Sequence, residues 1–228
     1  VVIPAYNEGE ELKTTIADVD KIVRKLFDDY ELLIFDDCST DKTGELADKL
    51  AKKNPRIRVF HNKENMNMGY NFRMGIKNAA KNYVMLLSGP DSVSLKSIET
   101  FISKIGESAV LSSYIANQEI RPRYRRIISF LVTNTLNLLF GLKLSYYFGM
   151  QAYETKIAKN LKATTNSFAL LAEALIRSIK RGYSHKEISY YVRRTKGTST
   201  TAFRMRNVAG IIALVLRLFF DVNFGKNR

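Results

Sequence analysis

The sequence predicts an α/β fold built on a mainly parallel sheet, and three observations carry that expectation. Short apolar runs alternate with amphipathic stretches through the first half of the 228 residues, which is the pattern of successive βαβ units. Two of those runs end in acidic loops, at Asp36-Asp37 and at Ser88-Gly89-Pro90-Asp91. With 46% hydrophobic and 25% charged residues, the chain has the apolar material for one globular domain with a real core and room for a small second lobe.

The elements follow in order. Val1 to Pro4 reads as the end of a strand, so part of that strand is expected to precede Val1. Leu12, Ile16, Val19, Val23 and Leu26 recur at spacings of three or four and place one apolar stripe on a helix from about Glu8 to Phe27. Glu31 to Phe35 is a buried strand, Asp41 to Lys53 a polar helix and Arg56 to Phe60 a short strand. Asn67 to Ala80 is a helix, and Tyr83 to Leu87 is a third buried strand broken by the Ser-Gly-Pro-Asp turn. In the second half, four arginines, Arg121, Arg123, Arg125 and Arg126, precede an apolar segment from Ile127 to Leu144. Phe168 to Lys180 reads as a helix, Ile188 to Val192 as a strand, and Asn207 to Phe220 as a strongly apolar helix.

Composition narrows the function classes. Lys and Arg total 36 against 22 for Asp and Glu, a formal charge of +14 that favours phosphates, nucleic acid or an acidic membrane surface as partners. Cys38 is the single cysteine, so an intrachain disulfide and a multi-cysteine metal site are excluded, in keeping with a reducing compartment. With only His61 and His185, a histidine-rich metal site is also disfavoured. Val208 to Leu216, the longest apolar stretch, falls short of the roughly 20 residues that span a bilayer. No nucleic-acid partner is expected, because no RRM, zinc or helix-turn-helix signature is present and acidic strand ends repel a phosphate backbone.

Ligands of open α/β sheets bind outside the carboxyl ends of the strands, and Asp36, Asp37 and Asp91 fall at such ends. Asp37 is read as a ligand-binding carboxylate, able to accept hydrogen bonds from a base or ribose, whereas Ser39 and Asp41 are read as caps of the next helix. Pro4-Ala5-Tyr6-Asn7-Glu8 is a strand-to-helix turn with Glu8 near the positive helix end. Arg193, Arg194, Lys196, Gly197 and Ser199 form a basic loop suited to phosphate. The arginines before Ile127, and Arg204, Arg206 and Arg217 around the last helix, suggest surfaces that meet anionic headgroups; core packing or a homodimer contact is the alternative for each apolar segment.

Val-Val-Ile-Pro-Ala-Tyr-Asn-Glu at the start, followed by Asp36-Asp37-Cys38-Ser39-Thr40-Asp41-Lys42-Thr43, resembles the opening of family-2 glycosyltransferases. Asn67-Met68-Gly69-Tyr70 with Gly75 and Ala79-Ala80 resembles that family's Asn-x-Gly helix start, and Tyr83 to Asp91 occupies the place of its metal-binding strand end. Glu173, Gly182-Tyr183, Glu187, Arg194, Gly197 and Ser199 resemble the later pattern of dolichol- and polyprenyl-phosphate sugar transferases. The resemblance implies a GT-A domain over residues 1–200, with its mainly parallel sheet and flanking helices, and leaves 201–228 as a C-terminal amphipathic helix that meets a membrane.

It further implies an inverting, metal-dependent transfer from a GDP- or UDP-sugar to a polyprenyl phosphate at the cytoplasmic face of a membrane. Pro4, Tyr6, Glu8 and Asp37 would bind the nucleotide. The family's Asp-x-Asp carboxylates hold Mg²⁺ or Mn²⁺ on the donor's diphosphate; here Ser88-Gly89-Pro90-Asp91 stands in that place and leaves Asp91 as the one ligand from this loop. Asp91, Glu173 and Arg194 form the expected catalytic set, with Arg194, Ser199, Arg123 and Arg126 on acceptor or phosphate. For Glu173 two readings stand side by side: a general base near the acceptor, or a partly exposed residue paired with Arg177 four positions on. A saccharide or other soluble acceptor, and an impaired homologue that only binds nucleotide or lipid, are the alternative functions.

Overall fold

The computed structural model describes residues 1–87, 93–193, 215 and 217–221. Seven strands form one sheet in the order β3-β2-β1-β4-β6-β5-β7. They are β1 (Val2–Ala5), β2 (Leu32–Asp36), β3 (Ile57–His61), β4 (Tyr83–Leu86), β5 (Val110–Ile115), β6 (Gln151–Glu154) and β7 (His185–Tyr190). Neighbours β3, β2, β1 and β4 are parallel, as are β5 and β7; β6 runs antiparallel to β4 and β5. Six strands therefore point the same way, and their carboxyl ends share one edge of the sheet.

Side chains alternate across the pleat, so the sheet feeds two cores. Leu32 and Ile34 of β2, with Ile3, Ala5 and Met85, pack under α1 (Glu10–Leu26), α2 (Thr43–Lys53) and α4 (Leu95–Ile102). Leu33 and Phe35, with Val2, Val84 and Leu86, face α3 (Met68–Asn78), α5 (Arg123–Phe140), α6 (Thr155–Asn160) and α7 (Leu170–Lys180). The stripe expected on the first helix is real: Leu12, Ile16, Val19 and Val23 are all buried. Gly75 lets α3 lie flush on β1, because a Cβ there would stand 2.4 Å from Val2 Cγ2.

Four elements, α4, α6, β5 and β6, are absent from the sequence reading. Ser112 and Ser113 interrupt the apolar run of β5; their hydroxyls pair with His185 Nε2 and with the Met150 carbonyl. In β6, the fully buried Gln151 accepts a 2.6 Å hydrogen bond from Tyr153 and donates to the Tyr147 carbonyl. A buried polar group whose bonds are made costs little, but it hides the strand from a hydrophobicity pattern. α4 is capped by Ser94, whose Oγ accepts from Ser97 N.

The last described helical residues, 217–221, pack on this body. Leu218 is buried in the same core as Leu136 and Phe140, and the Phe219 ring meets Phe140 at 6.3 Å between centroids. Of the readings open for this segment, core packing is what Leu218 and Phe219 do.

Candidate nucleotide-sugar site

The loops after β1 and β2 are stitched to each other at the carboxyl edge. Asn7 N donates to Ser39 Oγ, Thr40 N donates to Asn7 Oδ1, and the amides of Glu8 and Gly9 both donate to Thr43 Oγ1. Ser39 is thus not a helix cap; it ties the two loops, because α2 starts only at Thr43. Asp41 does receive Thr43 N at 2.9 Å, and bonds from the Thr43 hydroxyl and amide hold its carboxyl below the usual range. Tyr6 projects from this stitched edge, half exposed, while Pro4 lies within β1 and Glu8 precedes the first turn of α1.

Asp37 follows β2 and is buried, 4% exposed. Its Oδ1 accepts from Asn62 Nδ2 (2.7 Å) and Met66 N (2.8 Å), and its Oδ2 from Asn67 N (2.9 Å). A carboxylate offers about four acceptor positions, so one, on Oδ2, is unfilled among the described residues. The same contacts place a negative charge at the N-terminus of α3, where the helix dipole favours it. Asp36 is engaged elsewhere: Oδ1 accepts from Ser39 N and Oδ2 lies 2.9 Å from His61 Nδ1. That bond, above all, raises the His61 pKa. The contact is therefore strongest with His61 charged, at lower pH, and fades as pH climbs through the raised value.

Three residues in these loops adopt positive φ: Asn7 (53°), Cys38 (64°) and Asn67 (67°). Asn tolerates that region, whereas Cys rarely enters it. Such strain gathers where a loop must hold a specific shape for a ligand.

A later segment closes the site from the other side of α3. Gly69 N donates to the Asn166 carbonyl at 3.0 Å and Arg73 Nη1 to that of Thr164 at 2.8 Å. A Cβ on Gly69 would stand 2.4 Å from the Ser167 carbonyl oxygen and 2.6 Å from Asn166 C and O, all main-chain atoms. Gly69→Ala gains up to about 1 kcal/mol of helix propensity, but overpacking against backbone costs about 1–3 kcal/mol. The clash wins, and thermal unfolding of that variant is expected to show a lower midpoint than the parent.

Glu173 anchors this segment. It is fully buried, not partly exposed; its carboxylate accepts from Thr164 N and Thr165 N at 3.2–3.3 Å and from Arg177 Nε at 3.0 Å. The i,i+4 pair is present, and Arg177 reaches on to Asp221 at 3.1 Å.

Asp91 belongs to 88–92, and Arg194 and Ser199 to 194–200; all three lie outside the described residues. Their anchors are described. Val93 bridges Val192 in antiparallel fashion, Ser94 N donates to the Tyr191 carbonyl, and the Asn117 side chain both donates to and accepts from the Val192 backbone, at 2.8 and 2.9 Å. Arg193 is exposed just beyond.

Next to Asn117 a cleft of about 730 Å³ opens between α5 and the 144–145 segment, lined by Gln118, Arg123, Arg126, Thr133, Asn134 and Asn137 among others. Glu187 fixes its far wall by accepting from Ser145 N and Oγ. Sequence reading named the charged residues here but missed the amides Asn7, Asn62 and Asn117, whose side chains shape the loops through bonds to residues 25 to 75 positions away that carry no periodic signal.

No three His, Cys, Asp or Glu side chains gather as a metal site among the described residues. The carboxylates of Asp36, Asp37 and Asp41 already face N–H groups, and Asp91, the metal ligand expected from the sequence, lies outside the described residues.

Such a sheet, with a strained and stitched crevice at its carboxyl edge, defines an open α/β ligand-binding protein of the nucleotide-binding kind. Comparison makes the class specific: the chain matches Glycosyl transferase family 2 over residues 1–188 and belongs to that family. Among curated relatives, a dolichol-phosphate mannosyltransferase of Pyrococcus furiosus is 30% identical over 135 residues, 57% of this chain and 37% of that protein. The glycosyltransferase GlyG of Streptococcus pneumoniae is 31% identical over 107 residues, 47% of this chain and 35% of that protein. The chain spans little more than a third of the length of either.

Among solved structures, glucosyl-3-phosphoglycerate synthase from Mycobacterium tuberculosis in complex with UDP superposes with a TM-score of 0.66 at 16% identity, covering 96% of this chain and 78% of the other. The mannosyltransferase PcManGT from Pyrobaculum calidifontis, in complex with GDP-Man and Mn²⁺, gives 0.66 at 13% identity, covering 94% and 63%. These likenesses establish the GT-A fold.

Proposed function

We propose that this protein transfers a sugar from a GDP- or UDP-sugar to a polyprenyl phosphate, with inversion, at the cytoplasmic face of a membrane. The observation that carries the reading is the Val93–Val192 bridge. It sets Val192, two positions before Arg194, against Val93, two positions after Asp91, at the carboxyl edge that also holds Tyr6, Glu8 and Asp37. The nucleotide lies on that edge, with the base or ribose on the free position of Asp37 and Tyr6 alongside, and the diphosphate toward 88–92. Arg194 and Ser199 receive phosphate oxygens, as guanidinium and hydroxyl donors do.

A phosphate oxygen of the acceptor attacks the anomeric carbon, and the bond from that carbon to the diphosphate oxygen breaks, its electron pair leaving with the nucleoside diphosphate. An acceptor phosphate is ionised near neutral pH, so no general base is needed, and Glu173 is a positioning residue for 164–167. The acceptor enters by the cleft under α5, with Arg123 and Arg126 at its mouth; the Pyrococcus relative supports the lipid class. Mg²⁺ or Mn²⁺ is the cofactor in this reading; Asp91 would hold it, since Mg²⁺ commonly takes only one or two carboxylates, and it would supply charge neutralisation at the donor's diphosphate.

Calorimetry with UDP- and GDP-sugars tests the donor half, and transfer to prenyl phosphate against soluble saccharides tests the acceptor half. Asp91→Ala is expected to lower transfer at least about 100-fold and to remove the gain in donor affinity on adding Mn²⁺. Full activity in that variant refutes the role given to Asp91, and absence of nucleotide binding by the parent protein refutes the transferase reading.

A further inference from the structure

We propose that α5 lies in the plane of an anionic bilayer, its outer apolar face in the interfacial layer and its first-turn arginines on lipid headgroups. The inference rests on the membrane-surface reading above and identifies the element and the face that make the contact.

α5 is amphipathic in the reverse sense from α1. Tyr124, Ile127, Leu131 and Leu138 follow one another at helical spacing along a single side, and all are exposed, Leu138 by 84%. At 1.5 Å per residue that stripe is about 21 Å long, and Phe130, 67% exposed, flanks it. The buried side carries Thr133 and, further on, Leu136 and Phe140. A stripe of this size left in water marks a contact surface.

Charge decides what covers it. α5 holds Arg123, Arg125 and Arg126 and no Asp or Glu, and its N-cap, Pro122, offers no side-chain cap. Arginines in a first turn oppose the helix dipole, and the guanidinium of neither Arg123 nor Arg126 has a hydrogen-bond or ion-pair partner among the described residues. A second copy laid face to face would meet those arginines with a helix that has no carboxylate to offer. An anionic lipid surface supplies the missing charge and an apolar layer in one partner, with tyrosine at the boundary, where it is favoured. No described helix is long and apolar enough to cross a membrane, which suits a helix that lies on one.

Co-sedimentation of the 228-residue chain with vesicles of equal parts phosphatidylcholine and phosphatidylglycerol tests this. The parent is expected to bind these vesicles, to bind phosphatidylcholine alone weakly, and to dissociate as salt rises. Leu131→Ser combined with Leu138→Ser, both on the exposed face, should weaken partitioning about tenfold; each of Arg123→Gln, Arg125→Gln and Arg126→Gln should weaken it about fivefold on the mixed vesicles alone. Nucleotide binding by the serine variant should be unchanged, which reads the donor site separately.

A parent that stays in the supernatant overturns both this inference and the membrane-surface reading. A parent that binds while the serine variant binds equally well overturns the assignment to α5 only. A serine variant that changes from dimer to monomer on gel filtration, with partitioning unaltered, shows a second copy as the occupant and likewise overturns it.

Discussion

Asp37→Ala is expected to lose about 3–5 kcal/mol of stability, because it strips the acceptor from Met66 N, Asn67 N and Asn62 Nδ2 in a buried place, and orphaned donors cost about 1–3 kcal/mol each before relaxation. For a chain of this length that is a fall in unfolding midpoint of roughly 10 °C. Asp37→Asn is the sharper variant. Its amide must point an N–H₂ either at Asn67 N or at the pair Asn62 Nδ2 and Met66 N, so donor meets donor in both orientations. The asparagine variant should therefore melt well below the parent and bind nucleotide more weakly. Midpoints equal to the parent's, read by circular dichroism, would mean that Asp37 does not hold the loop.

Glu173 gives the second large effect. Removing one partner of a buried ion pair costs about 3–5 kcal/mol, since the other charge stays behind. In Glu173→Ala the left-behind groups are Arg177, whose side chain is 14% exposed, and the amides of Thr164 and Thr165. Glu173→Gln restores only one of the two, because its amide nitrogen must face either Arg177 or the Thr amides, and it removes the charge that pairs with Arg177. Both variants should melt lower than the parent, with donor affinity reduced through the displaced 164–167 segment. A glutamine variant that keeps the parent's stability and loses only turnover would refute the positioning role and favour a base.

The first half of the fold was readable from the sequence, since a 3.6-residue stripe such as Leu12-Ile16-Val19-Val23 and an unbroken run such as Leu32 to Phe35 each leave a periodic trace. β5 and β6 left none: Ser112 and Ser113 are buried polar residues whose acceptability depends on partners 73 and 37 positions away, and buried Gln151 depends on bonds to Tyr147 and Tyr153 that apolar periodicity does not show. α5 was legible only in part. Its apolar content was visible, but which side faced the core was not, because helical spacing orients residues relative to one another and not to the rest of the molecule. At the site, Asp37 was legible as a candidate from its position at a strand end, and Pro4, Tyr6 and Glu8 from the resemblance to the family. The loop geometry that employs them was not, because Asn7 and Ser39 meet across 32 residues.

The closure of α3 by Asn166 and Ser167 has a consequence for synthesis. Gly69 N and the Asn166 carbonyl are 97 positions apart, and Arg73 and Thr164 are 91 apart. A nascent chain that has made its first four strands already holds every residue assigned to the nucleotide, yet lacks the main-chain wall that fits against Gly69. Loop-closure entropy must be met before that distant wall contributes, so nucleotide is expected to add little to the stability of a ribosome-bound intermediate ending before residue 160. Ligand-dependent protection should begin only once α7 has emerged and Glu173 has fixed the segment in place.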